Sequence, residues 1–434
     1  MGRDGDGYWE VRMAKGKDED RKQQPNFLTY VRERMDTFVE RPLCSVDSLV
    51  FSWLSYARMG VSQDRACTPE GIALHELLRA EDFEHMFGTS WDPKASRDLL
   101  FAVCASPRFR DTRLTDFCFK TDHETEEQFA AMTFRLPDGS LYVAFRGTDS
   151  TIVGWKEDFN MTFLRPIPAQ GEAAGYLDAV AASTDGPLYV GGHSKGGNLA
   201  VYAAAMLAPE QRSRLKRVFS HDGPGFQRAF VAGEAYRGIE PIMEKTLPKS
   251  SIIGMLMYEG DAYTRTVVES DGFSLLQHNP FLWEVDVDAC AFVEADGFSV
   301  SSRYFDRTLD AWLDKYDLDE RQRFVDALFD VIRVTGADRF ADIMDNRKTA
   351  VPLMLDATEK LDPEVRDFVK DMFVSFAKTA TIERAAGAAG GILDTLKSTA
   401  QASGPVPREP DTPRDLEERL AGAMDELRRL SSEG

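Results

Sequence analysis

The chain has few cysteines and few histidines, and it has no uninterrupted apolar run of about 18 residues, the length that a membrane-spanning helix needs. Its five cysteines are odd in number, scattered and without a Cys-x-x-Cys pair. That usage predicts reduced, mostly buried thiols and argues against a disulfide framework or a zinc site. The N-terminus is too polar for a secretory signal, so we expect a cytosolic protein.

Positive charge is also in short supply. The chain has 52 Lys and Arg against 72 Asp and Glu, a net charge of −20 over 434 residues, and no basic cluster interrupts that balance. This argues against nucleic acid and anionic membrane surfaces as partners. No phosphate loop, metal cluster or dinucleotide fingerprint is visible, so no cofactor and no metal are expected.

Composition and patterning divide the chain into four regions. Residues 1–25 are charged and glycine-rich and are predicted to be disordered. Residues 26–300 form the main domain, in which helices precede an alternation of strands and helices that is typical of a mostly parallel sheet. Residues 301–400 are predicted to be helical, and residues 401–434 to be a linker followed by an amphipathic helix.

The main domain carries recognisable strand patterns. Phe129–Leu136 and Leu141–Arg146 flank Pro-Asp-Gly-Ser, which predicts a β-hairpin. Further along the chain we expect a helix at Glu172–Ala182 and strands at Val218–Ser220, Ser251–Met257 and Thr266–Glu269.

The most informative segment is residues 188–200, in which an apolar run leads into Gly-His-Ser-Lys-Gly and then into a helical pattern. A strand, a sharp turn and a helix in this order can present a serine as a nucleophile. Gly192 and Gly196 leave no side chain where the backbones crowd together. Ser194 lies at a helix N-terminus, where the helix dipole favours a developing oxyanion. Ser194 is therefore the predicted nucleophile.

Several motifs together resemble a known family. Ala-Phe-Arg-Gly-Thr-Asp at residues 144–149, followed by Trp155, Asp158 and the Ser194 segment, resembles the class 3 lipases of the α/β-hydrolase superfamily. The motifs Asp-Gly-Pro-Gly-Phe at 222–226 and Gln-His-Asn-Pro-Phe-Leu-Trp at 277–283 are similar to a bacterial lipase-like group, the Mbeg1-like proteins.

The resemblance covers about residues 27–290. It implies an α/β-hydrolase fold with a mostly parallel central sheet, N-terminal helices and a helical C-terminal extension. It also implies a serine esterase that works through a Ser-His-Asp triad and an acyl-enzyme, on a small acyl-ester or lipid substrate and without a cofactor.

A serine nucleophile needs a base, and in this superfamily the histidine follows the serine along the chain. His221 and His278 are the two histidines that follow Ser194. His278 is preferred because it lies in a polar turn between apolar runs, and His221 stays the alternative. His193 precedes the nucleophile directly and is expected to point into the packing between sheet and helix.

Four acidic residues compete to orient the base: Asp222, Glu259, Asp261 and Asp271. Asp261 is preferred, because it follows the predicted strand Ser251–Met257 and matches best the place of the acid in class 3 lipases. Asp222 comes second, since Asp-Gly-Pro-Gly is also a strong turn sequence. The choice between Asp261 and Asp222 stays open.

The resemblance implies an oxyanion hole at Thr148 and Lys195. Thr148 would donate its N–H, with or without its hydroxyl, and Lys195 its backbone N–H. The Lys195 side chain either meets an acidic substrate group or pairs with a neighbouring carboxylate, and pairing is preferred. Residues 148–158 resemble a lipase lid helix, and an ordinary packed helix is an equal alternative.

Two other functions remain compatible with these residues. The same triad serves thioesterases, amidases and acyltransferases. A non-catalytic, lipase-like module would use the pocket to bind a lipid or a protein partner. Hydrogen-bond contact between His278 and Asp261 or Asp222 separates the catalytic from the non-catalytic interpretation.

Overall fold

A computed structural model describes the chain over its main domain and part of the helical region that follows. The described residues are 24–58, 68, 70–87, 92–122, 127–148, 152–164, 166–272, 274–299, 302–303, 313, 315–338, 342–343 and 346–370. The predictions for residues 1–23 and 401–434 lie outside this part of the chain, as do Cys67 and His123.

The described residues contain an eight-stranded sheet whose strands lie side by side in chain order. Its strands are β1 (Ile72–Ala73), β2 (Arg113–Asp122), β3 (Glu127–Arg135), β4 (Leu141–Phe145), β5 (Leu188–His193), β6 (Leu215–His221), β7 (Met243–Pro248) and β8 (Thr264–Val268). Strands β1 to β4 pair antiparallel, and β4 to β8 pair parallel. Two short strands, β9 (Val285–Asp286) and β10 (Ala291–Phe292), form a separate antiparallel pair.

Helices connect and cover these strands. They are α1 (Phe27–Glu33), α2 (Ser45–Leu54), α3 (Phe83–Phe87), α4 (Pro93–Ala105), α5 (Ile152–Asn160), α6 (Pro168–Ala182), α7 (Lys195–Met206), α8 (Pro209–Arg212), α9 (Arg228–Val231), α10 (Glu234–Arg237), α11 (Leu318–Arg333) and α12 (Arg347–Glu359). No described helix is both long enough and apolar enough to cross a membrane.

Strand β4 shows why the sheet is central. Its apolar run Leu-Tyr-Val-Ala-Phe is buried along its whole length, as expected for a strand that is covered on both faces. Tyr142 and Ala144 face a core shared with α1, α2 and α4. Leu141, Val143 and Phe145 face the opposite core, which α6 and α7 complete. The two-sided cover confirms the predicted α/β fold with a mostly parallel central sheet.

Most of the predicted elements are present, and one prediction is wrong. The hairpin is formed by β3 and β4, and the strands predicted at Val218–Ser220 and Thr266–Glu269 correspond to β6 and β8. Ser251–Met257 is not a strand, because the chain there makes a turn and a 3₁₀ helix, Ile253–Met255. The strand lies earlier, at β7, where Glu244 and Lys245 interrupt the apolar pattern and conceal it.

A third apolar cluster joins the segment after β4 to the helical region near the end of the described chain. Ile152 of α5 and the following Phe163 pack with Phe324, Leu328 and Phe329 of α11. The sequence predicted a helix at this place. It begins at its Asp317 cap, whose carboxylate accepts a hydrogen bond from the Glu320 N–H.

Candidate active site

Ser194 occupies a strained turn between β5 and α7. Its φ is 59° and its ψ is −133°, a backbone conformation that residues other than glycine seldom adopt. A Cβ on Gly192 would lie 2.2 Å from the Gly196 backbone, and a Cβ on Gly196 would lie 2.1 Å from the Phe145 carbonyl. Both glycines are therefore needed for β4, β5 and α7 to approach this closely, as the motif predicted.

The turn is held from below by the neighbouring strand. The Ser194 N–H donates a hydrogen bond of 2.9 Å to the carbonyl of His221 at the end of β6. Lys195 is the first residue of α7, so its N–H belongs to the turn whose amides have no acceptor within the helix. Ser194 is buried, with 5% of its surface exposed.

His278 and Asp222 form the contact that matters most to the chemistry. His278 Nδ1 lies 2.7 Å from Asp222 Oδ2, and the Asp222 side chain is almost fully buried. The carboxylate accepts the Nδ1–H, which leaves Nε2 as the nitrogen that can take a proton from a serine hydroxyl. Within the described part of the chain, no hydrogen bond joins Ser194 Oγ to the His278 ring.

Asp222 is fixed by contacts on every side. It directly follows β6, has a φ of 50°, and its N–H donates to the Thr246 carbonyl at 2.8 Å. Its second carboxylate oxygen, Oδ1, accepts hydrogen bonds from Ser251 Oγ at 2.5 Å and from the Gly254 N–H at 3.1 Å. These donors hold the carboxylate in one orientation beside His278.

The other three candidate acids lie elsewhere. Asp261 and Asp271 are exposed, and Glu259 makes an ion pair with Lys245. The preference for Asp261 depended on a strand at Ser251–Met257, and that strand is absent. Asp261 therefore lies well beyond the end of β7, in the connection to β8, whereas Asp222 lies at a strand end beside the base. The geometry reverses the order of preference between the two.

His193 has a role that the sequence did not reveal. Its Nε2 lies 2.9 Å from the His278 carbonyl oxygen, which can only accept, so Nε2 carries the hydrogen. Burial holds the pKa of His193 well below its usual range, so the ring is neutral. Its Nδ1 must therefore accept the hydrogen bond from the Tyr56 hydroxyl at 3.1 Å. The residue before the nucleophile thus anchors the backbone of the base.

His221, the alternative base, belongs to a buried polar cluster that includes Ser48 of α2. Its Nε2 lies 2.9 Å from Ser48 Oγ, which also contacts the Tyr142 hydroxyl at 2.7 Å. Burial lowers the pKa of His221 to about 3. The ring is thus kept neutral and engaged away from Ser194.

The loop that carries His278 is locked by its neighbours in the predicted motif. In the Gln277 side chain, Nε2 donates to the Ser270 carbonyl at 3.2 Å, and Oε1 accepts from the Ser250 N–H at 2.8 Å. Trp283 is fully buried, and its indole N–H donates to the Gln277 carbonyl at 2.6 Å. The motif around His278 therefore serves to position the loop.

Thr148 lies where the resemblance places an oxyanion donor, but its hydroxyl is already engaged. Thr148 Oγ1 lies 2.8 Å from each carboxylate oxygen of Asp158, on α5. Burial raises the pKa of Asp158 to about 7, while Lys195, the Thr148 hydroxyl and His278 oppose that shift. The single hydroxyl hydrogen points to Asp158, so the backbone N–H is the donor that Thr148 can direct to an oxyanion.

The Lys195 side chain turns into the protein. Its Nζ is fully buried, contacts Glu157 of α5 in an ion pair and donates to the Gln128 carbonyl at 2.9 Å. Pairing with a neighbouring carboxylate was the preferred prediction for this side chain. Glu157 and Asp158 are adjacent, so α5 is tied to both residues assigned to the oxyanion hole.

Helix α5 is held on its other side by the third cluster. Lys156 Nζ forms an ion pair of 3.0 Å with Asp326 of α11, and the Ile152 N–H donates to the Asp338 carbonyl at 2.8 Å. The segment suggested as a lid is therefore bound from both faces.

The described residues contain no group of three or more His, Cys, Asp or Glu side chains arranged to hold a metal ion. Among the described cysteines, Cys44, Cys104 and Cys290 are free thiols.

The chain is similar to one protein family and to several solved structures. The protein-family model that describes the Mbeg1-like family matches residues 103–330. Among solved structures, the chain is similar to the lipase of Rhizomucor miehei in its propeptide complex, with 18% identity and a TM-score of 0.30 over 49% of this chain and 64% of that one. It is also similar to M37 lipase, with 13% identity and a TM-score of 0.30 over 48% and 67% of the two chains. The chain thus spans less than two thirds of the Rhizomucor miehei lipase. No curated protein matches it significantly.

Proposed function

Because the chain belongs to the Mbeg1-like family, we propose that it is a serine hydrolase of the lipase and esterase type that cleaves carboxylic esters. One observation carries the proposal: the base His278 and the acid Asp222 are 2.7 Å apart, in the chain order Ser, Asp, His that serine hydrolases of this superfamily use. The strained turn at Ser194 supports the same assignment.

In the proposed first step, Ser194 Oγ attacks the ester carbonyl carbon while its proton passes to His278 Nε2. Asp222 holds the imidazole through Nδ1 and stabilises the imidazolium that forms. The carbonyl π electrons move to the oxygen, which the backbone N–H groups of Thr148 and Lys195 would bind. When the tetrahedral species collapses, the alcohol leaves with the proton from His278.

The acyl group then remains on Ser194 as an ester. Water attacks its carbonyl carbon and gives a proton to His278 Nε2, and a second oxyanion forms between the same two donors. Collapse breaks the bond to Ser194 Oγ, which recovers the proton from His278. The products are a carboxylic acid and the free enzyme, and no cofactor takes part.

We further propose that α5 is a fixed wall of the site, not a mobile lid. Opening it would separate Lys195 from Glu157, and breaking a buried ion pair costs about 3–5 kcal/mol. It would also expose the third apolar cluster. Substrate would then approach from the His278 loop, where the His278 side chain is 19% exposed and Leu276 is 54% exposed.

Labelling with a fluorophosphonate probe tests the proposed function. We expect wild-type protein to be labelled at Ser194, and we expect Ser194→Ala and His278→Ala to abolish labelling while the protein stays folded. His85→Ala, which changes an exposed histidine on α3, is the matched control and should be labelled like wild type. Labelled protein would then be offered p-nitrophenyl esters of increasing acyl length, a thioester and an amide, which separates an esterase from the related acyl-transfer enzymes.

A non-catalytic binding module is the second candidate, and the burial of Ser194 favours it. Folded wild-type protein that resists labelling, both with and without detergent, would contradict the hydrolase proposal and support this one. The cytosolic location and the small acyl-ester or lipid substrate stay predictions.

A further inference from the structure

A buried lysine lies behind the candidate acid. Lys245 is on β7, with 2% of its surface exposed. Its Nζ donates a hydrogen bond of 2.9 Å to the Gly254 carbonyl and makes an ion pair with Glu259. A lysine is rarely placed at such a depth without a specific partner, because desolvating an ammonium group is costly.

The turn that Lys245 binds is the turn that holds Asp222. The Gly254 N–H donates to Asp222 Oδ1 at 3.1 Å. A Cβ on Gly254 would lie 2.3 Å from Asp222 Oδ1 and 2.1 Å from Leu247 Cδ2, so this backbone packs directly on the carboxylate. The next residue of β7, Thr246, accepts the hydrogen bond of the Asp222 N–H. Lys245 therefore lies one contact away from the acid.

The charges around Lys245 come from three elements. Asp222 follows β6, Glu259 lies in the connection after β7, and Arg265 is the register partner of Lys245 on β8. Burial lowers the pKa of Lys245 to about 7, an effect that Arg265 strengthens and the Asp222 carboxylate opposes. The electrostatic coupling between Lys245 and Asp222 thus works in both directions.

We propose that Lys245 is a positioning residue for the triad. It holds the Gly254 turn against Asp222, and its positive charge competes with the His278 imidazolium for the Asp222 carboxylate. This inference deepens the proposed function and rests on it for its catalytic consequence. The Lys245 cation attracts the same Asp222 carboxylate that stabilises the His278 imidazolium. It therefore weakens the stabilisation that Asp222 gives to the His278 imidazolium.

Removal of the charge tests this role. We expect Lys245→Gln, which keeps a donor for the Gly254 carbonyl, to move the midpoint of the His278 imidazole titration upward by roughly one pH unit, because one buried positive charge near the pair is lost. In the pH profile of Ser194 labelling, the acid limb should move upward by the same amount. At a fixed pH on that limb, kcat for esters should fall more than KM changes. Glu259 keeps the Tyr263 hydroxyl and Arg265 as partners in this variant.

NMR of protein with ¹⁵N-labelled histidine measures the midpoint directly, and His278→Gln identifies the signal. The titratable groups that interact with His278 besides Asp222 include Asp158 and the neutral His193, and all variants share them. Lys249→Gln is the matched control, because Lys249 lies one residue past β7 and pairs with the half-buried Glu269. Lys245→Arg retains the cation and should return the midpoint toward that of wild type.

The outcomes are distinct. An upward shift in Lys245→Gln with none in Lys249→Gln supports the proposal, and Lys245→Met replaces the glutamine variant if that variant does not fold. An unchanged midpoint and pH profile, with only a lower melting temperature, would overturn it and leave Lys245 a structural residue. An upward shift in Lys245→Gln, together with wild-type protein that is never labelled at Ser194, would contradict the proposed function alone.

Discussion

Two residues of the proposed triad have a positive φ, which few residues other than glycine tolerate. Ser194 and Asp222 end neighbouring parallel strands with φ values of 59° and 50°. Each such conformation costs about 1–3 kcal/mol and persists only where the surroundings determine it fully. Hydrogen bonds to the carbonyls of His221 and Thr246 determine it here. Both residues directly follow the carboxyl ends of parallel strands, where the active sites of open α/β sheets form.

Thr148 allows a prediction that separates its two possible donors. Thr148→Val removes the hydroxyl and keeps the shape of the side chain. We expect the rate of Ser194 labelling to change by less than about tenfold, because the hydroxyl hydrogen is directed to Asp158 and the backbone N–H remains. Labelling kinetics at about pH 8, above the pKa of Asp158, measure this. A loss of about 100-fold or more would mean that the hydroxyl itself binds the oxyanion.

At the scale of elements, α5 is the segment whose role the contacts decide. Its amphipathic pattern is equally compatible with a lid and with a packed helix. In the structure Glu157 pairs with Lys195, Lys156 pairs with Asp326, and Ile152 packs on α11. A helix that is bound on both faces by charged and apolar contacts would have to break those contacts in order to open and close as a lid.

The ion pair of α5 gives a stability prediction. Glu157→Gln leaves the Lys195 ammonium buried without its counter-charge, so we expect the free energy of unfolding to fall by about 3–5 kcal/mol. Urea unfolding followed by circular dichroism measures the change. The control is Glu172→Gln, which breaks the exposed pair with Lys120 and should cost no more than about 1 kcal/mol. Equal, small losses in both variants would contradict the fixed-wall proposal.

At the scale of the whole molecule, the sheet separates two of the three apolar clusters of the described residues, and buried neutral histidines lie close to it. Burial lowers the pKa of His221 to about 3 and holds that of His193 well below its usual range. Unfolded chains take up a proton on histidine near pH 6.5, whereas the folded protein does not. The contribution of these histidines to the free energy of unfolding is therefore complete above about pH 6.5 and falls as the pH decreases toward 3.

This linkage can be measured. The buried His221 should cost about 2 kcal/mol of folding free energy on going from about pH 7.5 to about pH 5. We expect His221→Gln to have a shallower decline over this range than wild type, whatever its stability at about pH 7.5. His75→Gln, a change at an exposed histidine, should reproduce the wild-type slope. Parallel slopes in all three proteins would show that His221 does not contribute to acid unfolding.

Features that depend on neighbours in the chain could be predicted from the amino-acid sequence. These are the hairpin of β3 and β4, the turn at Ser194 with its two obligatory glycines, and the short choice of bases that six histidines allow. Each follows from backbone geometry or chain order, which a local pattern encodes.

Three features became visible only in the folded chain: the contact of His278 with Asp222 and not with Asp261, the partner of Lys195, and the attachment of α5. These depend on which strand ends lie side by side, and strand β7 was hidden because Lys245 and Glu244 break its apolar run. A buried charge is compatible with a strand only when a distant partner compensates it, and that partner is not visible in the local sequence. The same lysine that concealed β7 from sequence reasoning lies behind the candidate acid.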